Sequence, residues 1–290
     1  MDQAAQLRSI IKAKQNTRVP LARVITVTSG KGGVGKSNTS INLAIQFRKM
    51  GQRVIILDAD FGLANIEIMF GTVPKYNLCD LIYQGKGIRE IISWGAGEVG
   101  FISGGSGIVG MSNLTKEHLN CIIHNLAQLD TIADVIIIDT GAGISDAVME
   151  FLLASGEIIL VTTPEPTSIT DSYSLLKALN SHPRYSKDSM QIKLIANRVN
   201  KIADGDALFH KLQAVVNRYL KVPITYLGAV PWDQQLAEAV MQQKPVSLSY
   251  PNAKSTMAYE EIAAKLMGEE KPRKKRGMAA FFSNIISGKK

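Results

Sequence analysis

Six short stretches of the chain are apolar almost throughout and end in polar or turn residues: RVITVTSG (23–30), RVIILDAD (53–60), ADVIIIDTGAG (133–143), EIILVTTPEP (157–166), QIKLIANRVN (191–200) and ITYLGAVPWD (224–233). A strand with one wet face would alternate apolar and polar positions. These runs do not, so they predict strands buried on both sides. The stretch after the first run, SNTSINLAIQFRKMG (37–51), changes period: Ile41, Ala44 and Ile45 fall on one helical face, Arg48 and Lys49 close it, and Gly51 stops it. Buried strands separated by helical stretches give an α/β fold, a doubly wound, mostly parallel sheet with helices on both faces. In such a sheet ligands sit at the carboxyl ends of the strands, where the polar tails LDAD, IDTGAG, TTPEP, ANRVN and VPWD fall.

Composition supports this and removes some alternatives. At 290 residues, 46% hydrophobic and 20% charged, the chain can bury a sizeable core. No apolar run approaches the roughly 18–20 residues of a membrane span. The start MDQAAQLR lacks an apolar signal core, so a cytoplasmic protein is expected. Cys79 and Cys121 have no C-x-x-C spacing, which argues against a disulfide framework or a zinc site. The net charge is +8, but residues 271–290 hold Lys271, Arg273, Lys274, Lys275, Arg276, Lys289 and Lys290 without one acid, leaving the rest near +1. A nearly neutral body with a basic tail is a localised electrostatic anchor, and no nucleic-acid partner is expected. The chain therefore divides into an N-terminal appendage (1–20), one α/β domain (22–268), a basic linker (269–276) and a terminal apolar stretch (277–290).

The chemistry begins at the end of the first strand. Gly30, Lys31, Gly32, Gly33, Val34, Gly35, Lys36 and Ser37 satisfy G-x-x-x-x-G-K-[ST], between a predicted strand and a predicted helix that begins with Ser37 and Asn38. The glycines let backbone N–H groups turn toward phosphate oxygens, Lys36 reaches the β/γ-phosphates, and the Ser37 hydroxyl is a Mg²⁺ ligand. The following helix N-terminus favours the anion. Asp139, ending VIIID before Thr140-Gly141-Ala142-Gly143, holds Mg²⁺ directly or through water, with glycines that let its loop move. Asp58 and Asp60 end VIILDAD and point the same way on an extended strand end. One orients or activates the attacking water and the other supports the metal, or one of them, Asp58, only caps the loop.

KGGVGKS, LDADFGLANIE and IIIDTGAGISD together resemble the MinD/ParA group of P-loop ATPases with a deviant phosphate-binding loop, over roughly residues 22–268. The resemblance implies an ATPase that uses ATP and Mg²⁺ and dimerises around its nucleotides. Lys31 would reach the partner's phosphates, Asp60 would be the switch I aspartate, and Asp139 the Mg²⁺-associated aspartate of switch II. Asn197, followed by Arg198, matches the asparagine that recognises adenine, and Pro231 and Asp233 lie in the loop flanking the base. An amide can serve either base, so Asn197 alone does not choose ATP over GTP. Iron–sulfur relatives carry paired cysteines near the switches, which DTGAGI lacks.

The two ends refine this reading. Met278, Phe281, Phe282, Ile285 and Ile286 occupy positions i, i+3, i+4, i+7 and i+8, an arc of about 140° on a helix. With basic residues before it, such a face suits a membrane interface with anionic lipid; the same face also suits a groove on the protein's own core or on a partner. At the other end, Asp2, Gln3, Ala4, Leu7 and Arg8 match the DQAxxLR segment of the FlhG branch of the family, the ATPases of flagellar placement. That match implies stimulation of the GTPase FlhF, flagellar C-ring and basal-body proteins as further partners, and reversible attachment to the inner face of the cell membrane. A MinD-type division-site regulator shares the body and tail but not the N-terminal segment. A scaffold that binds nucleotide without hydrolysis is disfavoured by Asp60 and Asp139. His118, His124, His182 and His210 have no ligand spacing.

Overall fold

The computed structural model describes residues 21–60, 65–105, 124–268 and 277–287. The N-terminal segment with Asp2, Gln3, Ala4, Leu7 and Arg8, the basic linker, and the side chain of Ile286 lie outside what it describes.

Each of the six apolar runs is a strand: β1 (Arg23–Ser29), β2 (Val54–Ala59), β5 (Val135–Ala142), β6 (Glu157–Thr162), β7 (Gln191–Val199) and β8 (Ile224–Pro231). Two shorter strands, β3 (Ser93–Trp94) and β4 (Gly100–Ile102), complete an eight-stranded sheet in the order β3-β4-β2-β5-β1-β6-β7-β8. Every pairing is parallel except β3 with β4. The continuous apolar runs are explained by which face each residue takes. Ile25, Val27, Ile56 and Ile137 enter one core, which also contains Ile41, Leu43 and Ile45 of α1 (Lys36–Lys49) and Tyr259 and Ile262 of α11 (Lys254–Gly268). Val24, Ile55, Leu57, Ile136 and Ile138 enter a second core on the opposite face, under α6 (Asp146–Ala154). A third core on that same side joins Ile158, Leu160 and Leu194 to α7 (Pro166–Asn180) and α8 (Ile202–Tyr219).

The remaining described helices are α2 (Asn65–Phe70), α3 (Leu78–Tyr83), α4 (Ile88–Ile91), α5 (Leu129–Ile132), α9 (Gln234–Met241), α10 (Val246–Ser249) and α12 (Met278–Ser287). The amphipathic face foreseen at the C-terminus is real, and it is occupied. Met278, Phe281, Phe282 and Ile285 are all at most 2% exposed and belong to the core that contains Ile136, Ile138 and Phe151. Phe151 of α6 stacks on Phe281 at 6.0 Å and meets Phe282 edge-on at 6.4 Å, geometries that aromatic quadrupoles favour. The helix is anchored at its start, where the Met278 N–H donates to Asp130 Oδ1 at 3.0 Å. Of the three destinations open to this face, the structure shows the protein's own core.

Candidate functional site: a phosphate-binding loop flanked by three strand ends

β1 delivers the chain straight into the loop 30–35, and α1 begins at Lys36. Two glycines are required by what surrounds them. A Cβ on Gly30 would stand 2.3 Å from the backbone carbonyl of Asp171, so α7 can approach the loop this closely only because Gly30 has none. Gly35 has φ 95°, a left-handed conformation that turns the backbone into α1, and a Cβ there would stand 2.3 Å from Asn197 Nδ2. The loop is tied to its neighbours: Gly143 N–H donates to the Ser29 carbonyl at 2.9 Å, and the Thr140 hydroxyl donates to the Val27 carbonyl at 3.1 Å.

The predicted phosphate and metal residues converge. Asp139 is fully buried within β5, where its apolar run gives way to Thr140-Gly141-Ala142. Its Oδ2 accepts from the Ser37 hydroxyl at 2.6 Å and its Oδ1 from the Ser40 hydroxyl at 2.8 Å, with Lys36 Nζ 3.6 Å away. Burial pushes the Asp139 carboxyl up from its ordinary value, against the pull of Lys36 and the two hydroxyls. Ser40 was not foreseen. It sits one helical turn after Lys36, so the signal was its i+4 spacing from the loop lysine. This donor set fits Mg²⁺, which prefers a few oxygens plus water and substrate phosphates to an all-protein cage. No group of three His, Cys, Asp or Glu side chains that could hold a metal occurs among the described residues. Ser37 and Asp139, with Asp60 nearby, are the side chains that would hold the ion, and its charge would neutralise phosphate oxygens.

Asp60 lies just past the end of β2. Its Oδ2 accepts from Asn65 Nδ2 at 3.3 Å, and a Cβ added to Gly141 would stand 3.3 Å from its Oδ1, so the carboxylate lies over the last residues of β5. Asp58 is buried, paired in register with Asp139, and burial together with that neighbour's charge pushes its carboxyl up to about 7.

Lys31 does not point into its own loop. Its Nζ donates to Glu165 Oε2 at 2.7 Å and to Thr167 Oγ1 at 2.9 Å, and this partner holds the Glu165 carboxyl below its ordinary value. Neither Glu165 nor Thr167 was anticipated; the only sequence signal was the acid in TTPEP at a strand end, with Pro166 opening α7. Asn197 is buried, and its Nδ2 donates to the Val34 carbonyl at 2.7 Å, so its amide braces the phosphate loop from β7. Arg198 follows with φ 57°, a left-handed conformation uncommon for a side-chain-bearing residue. Pro231 ends β8 and lines a cavity of about 500 Å³ with Asn200, Lys254 and Met257. Asp233 caps α9 by accepting from Gln235 N–H at 2.9 Å, and it accepts from Ser255 N–H and Oγ, both at 2.9 Å. Its carboxylate is thus engaged in holding α9 to α11. Asn38 lies in the first turn of α1 beside Ser37, its carbonyl accepting from Asn42 Nδ2 at 2.8 Å.

Comparison with known proteins agrees with this geometry. The ParA family profile, described as NUBPL iron-transfer P-loop NTPase, matches residues 20–267. The antiactivator FleN of Pseudomonas aeruginosa is 37% identical over 269 residues, spanning 93% of this chain and 95% of that protein. The flagellum site-determining protein YlxH of Helicobacter pylori is 33% identical over 287 residues, spanning 96% and 93%. Among solved structures, the septum site-determining protein MinD of Pyrococcus horikoshii with Mg-ADP aligns with TM-score 0.65 and 25% identity, over 86% of this chain and 97% of that one. With the loop, the strand-end aspartates and these similarities in place, the chain belongs to the ParA/MinD family of P-loop NTPases and is an FlhG-like ATPase.

Proposed function

We propose that this ATPase is a dimerising, membrane-associating switch that regulates flagellar number and placement. The relatives named FleN and YlxH support the biological setting. The observation that carries the switch is the seating of α12: its apolar face is buried against Phe151 in a chain whose Lys31 is held by its own Glu165. That face can lie in the groove or in a bilayer, but not in both. Each of its four buried side chains is worth about 1.5–3 kcal/mol out of water. Leaving the groove for acyl chains exchanges one burial for another, so the net difference is small. Small differences are what a nucleotide can tip. The basic residues of 271–276 add about 1 kcal/mol each near an anionic leaflet, and two helices on one dimer reinforce each other through effective concentration.

The chain's own residues divide the work. Lys36 and the loop amides bind the phosphates, and Ser37 and Asp139 hold Mg²⁺. Asp60 orients the attacking water, and Lys31 leaves Glu165 to reach the partner's nucleotide. ATP makes the dimer, the dimer holds the inner face of the membrane, and hydrolysis returns the helix to its groove. The segment Asp2–Arg8 stimulates FlhF, with Gln3 orienting water in the partner's site; C-ring and basal-body proteins are further partners.

Co-sedimentation with anionic liposomes tests the switch. Pelleting should require ATP, and equal pelleting with ADP would overturn it. Gln3→Ala should abolish FlhF stimulation while this chain's own ATP hydrolysis is unchanged.

A further inference from the structure

Asp58 stands at the end of β2, only 2% exposed, opposite Asp139 in the sheet. Its carboxylate accepts from two backbone amides. Oδ1 accepts from the Asp60 N–H at 3.1 Å, and Oδ2 accepts from the Ile66 N–H at 3.3 Å. Those two amides bracket residues 61–65. The far bracket is fixed, because the Ile66 side chain is fully buried in the core under α1. The near bracket is the backbone of Asp60, whose carboxylate lies over Gly141 and accepts from Asn65. One side chain thus ties the backbone of Asp60 to that of Ile66 and sets the direction in which Asp60 leaves the sheet.

We infer that Asp58 is a positioning residue of this ATPase site: by accepting from the Asp60 and Ile66 N–H groups it fixes the backbone that carries the Asp60 carboxylate and thereby aims it, an inference that rests on the role proposed for Asp60. A carboxyl group suits this use, since each of its two oxygens can accept from one of the backbone N–H groups. Each of its oxygens is engaged by a backbone N–H, one of them that of Asp60, so the influence of Asp58 on the site runs through the placement of Asp60. Misplacing a catalytic group by about 1 Å can cost on the order of 100-fold in rate.

Asp58→Asn is the direct test. It keeps the shape but presents an NH₂ to one of the two N–H groups, so one bracket must open. The turnover rate should fall about tenfold or more while KM for ATP stays within about threefold. Amide exchange at Asp60 and Ile66 should accelerate with that at Ile56 and Leu57 unchanged. ATP-dependent dimerisation should survive. The double variant Asp58→Asn/Asp60→Ala should turn over no more slowly than Asp60→Ala alone, the non-additivity expected of residues acting as one unit. The inference is overturned by turnover within about twofold of the parent, by a raised KM with unchanged turnover, or by additive losses in the double variant. Should Asp58→Asn not fold, Asp58→Glu serves: it keeps both acceptors one methylene further out, and turnover should again fall with KM preserved, parent-like turnover overturning the assignment.

Discussion

Lys31 Nζ stands 2.7 Å from Glu165 Oε2, both in one chain, on the rim of a phosphate site that Lys36 already serves. Exposed ion pairs of this kind contribute little, because solvent and salt screen them. Glu165 therefore holds Lys31 aside without competing seriously with a partner's phosphates. Lys31→Ala should abolish ATP-dependent dimerisation, read by size exclusion, while the affinity for a fluorescent ATP analogue changes by less than about threefold. An affinity loss that matches the dimerisation loss would place Lys31 in its own chain's site.

The Asn197 amide donates to the Val34 carbonyl and fills the space beside Gly35. Removing it should loosen the phosphate loop whichever base is attached. Asn197→Ala is expected to weaken ATP and GTP alike, by roughly tenfold, the cost of one well-placed buried hydrogen bond. Competition binding with both nucleotides reads this out. Loss confined to ATP would make the residue a reader of adenine and not a brace.

The two faces of the α12 contact separate in mutation. Phe281 belongs to the helix and Phe151 to the groove, and the two stack at 6.0 Å. Phe281→Ala should cost stability, about 3 kcal/mol or somewhat more for a buried phenylalanine, and should weaken liposome binding as well. Phe151→Ala should cost comparable stability but strengthen liposome binding and relax its dependence on ATP, because only the groove is impaired. Thermal unfolding and liposome co-sedimentation on the same preparations check both.

A buried charge cluster at the opposite end of the sheet should appear in acid. Glu157 accepts from Arg23 at 2.8 and 2.6 Å and from Lys193 at 2.9 Å, all three buried. Burial alone would raise its carboxyl, but Arg23 and Lys193 outweigh it and hold it below the ordinary glutamate value. A depressed acid stabilises the fold above its unfolded value, roughly pH 4.3, and that contribution is lost as pH falls through the lower folded value. Glu157→Gln should therefore cost about 3–5 kcal/mol at neutral pH, because it strands two buried cations. The gap to the parent should close below about pH 4, as followed by urea unfolding at several pH values.

Much of this molecule is legible in its sequence, for physical reasons. The six long strands announce themselves because burial on both faces removes polar positions from a run, as in Val135–Ile138. β3 and β4 do not, because two or three residues pairing at a sheet edge carry no period. Lys36 and Ser37 are readable because the loop motif is local, and Asp139 because it is the first charge after a continuous apolar run, although β5 itself continues to Ala142. Glu165 and Thr167 are not, since they meet Lys31 from more than 130 residues away through sheet order. The α12 face is plain in the spacing of Met278, Phe281, Phe282 and Ile285. Its destination is not, because acyl chains and a protein groove demand the same spacing.

The junction at Gly277 has a geometric consequence. A Cβ there would collide with Asp130 at 2.4 Å and with the Leu21 side chain at 2.8 Å. Leu21 lies two residues before β1, and Asp130 precedes β5, so the point where the described chain enters β1 and the point where α12 begins lie together at the end where strands start, while the phosphate loop occupies the pole where strands finish. Under the function proposed above, the phosphate pole is thus free of both attachment points, and a second copy could meet it there nucleotide to nucleotide. The molecule is polarised like a plug, with its attachment points at the back and its phosphate loop at the front.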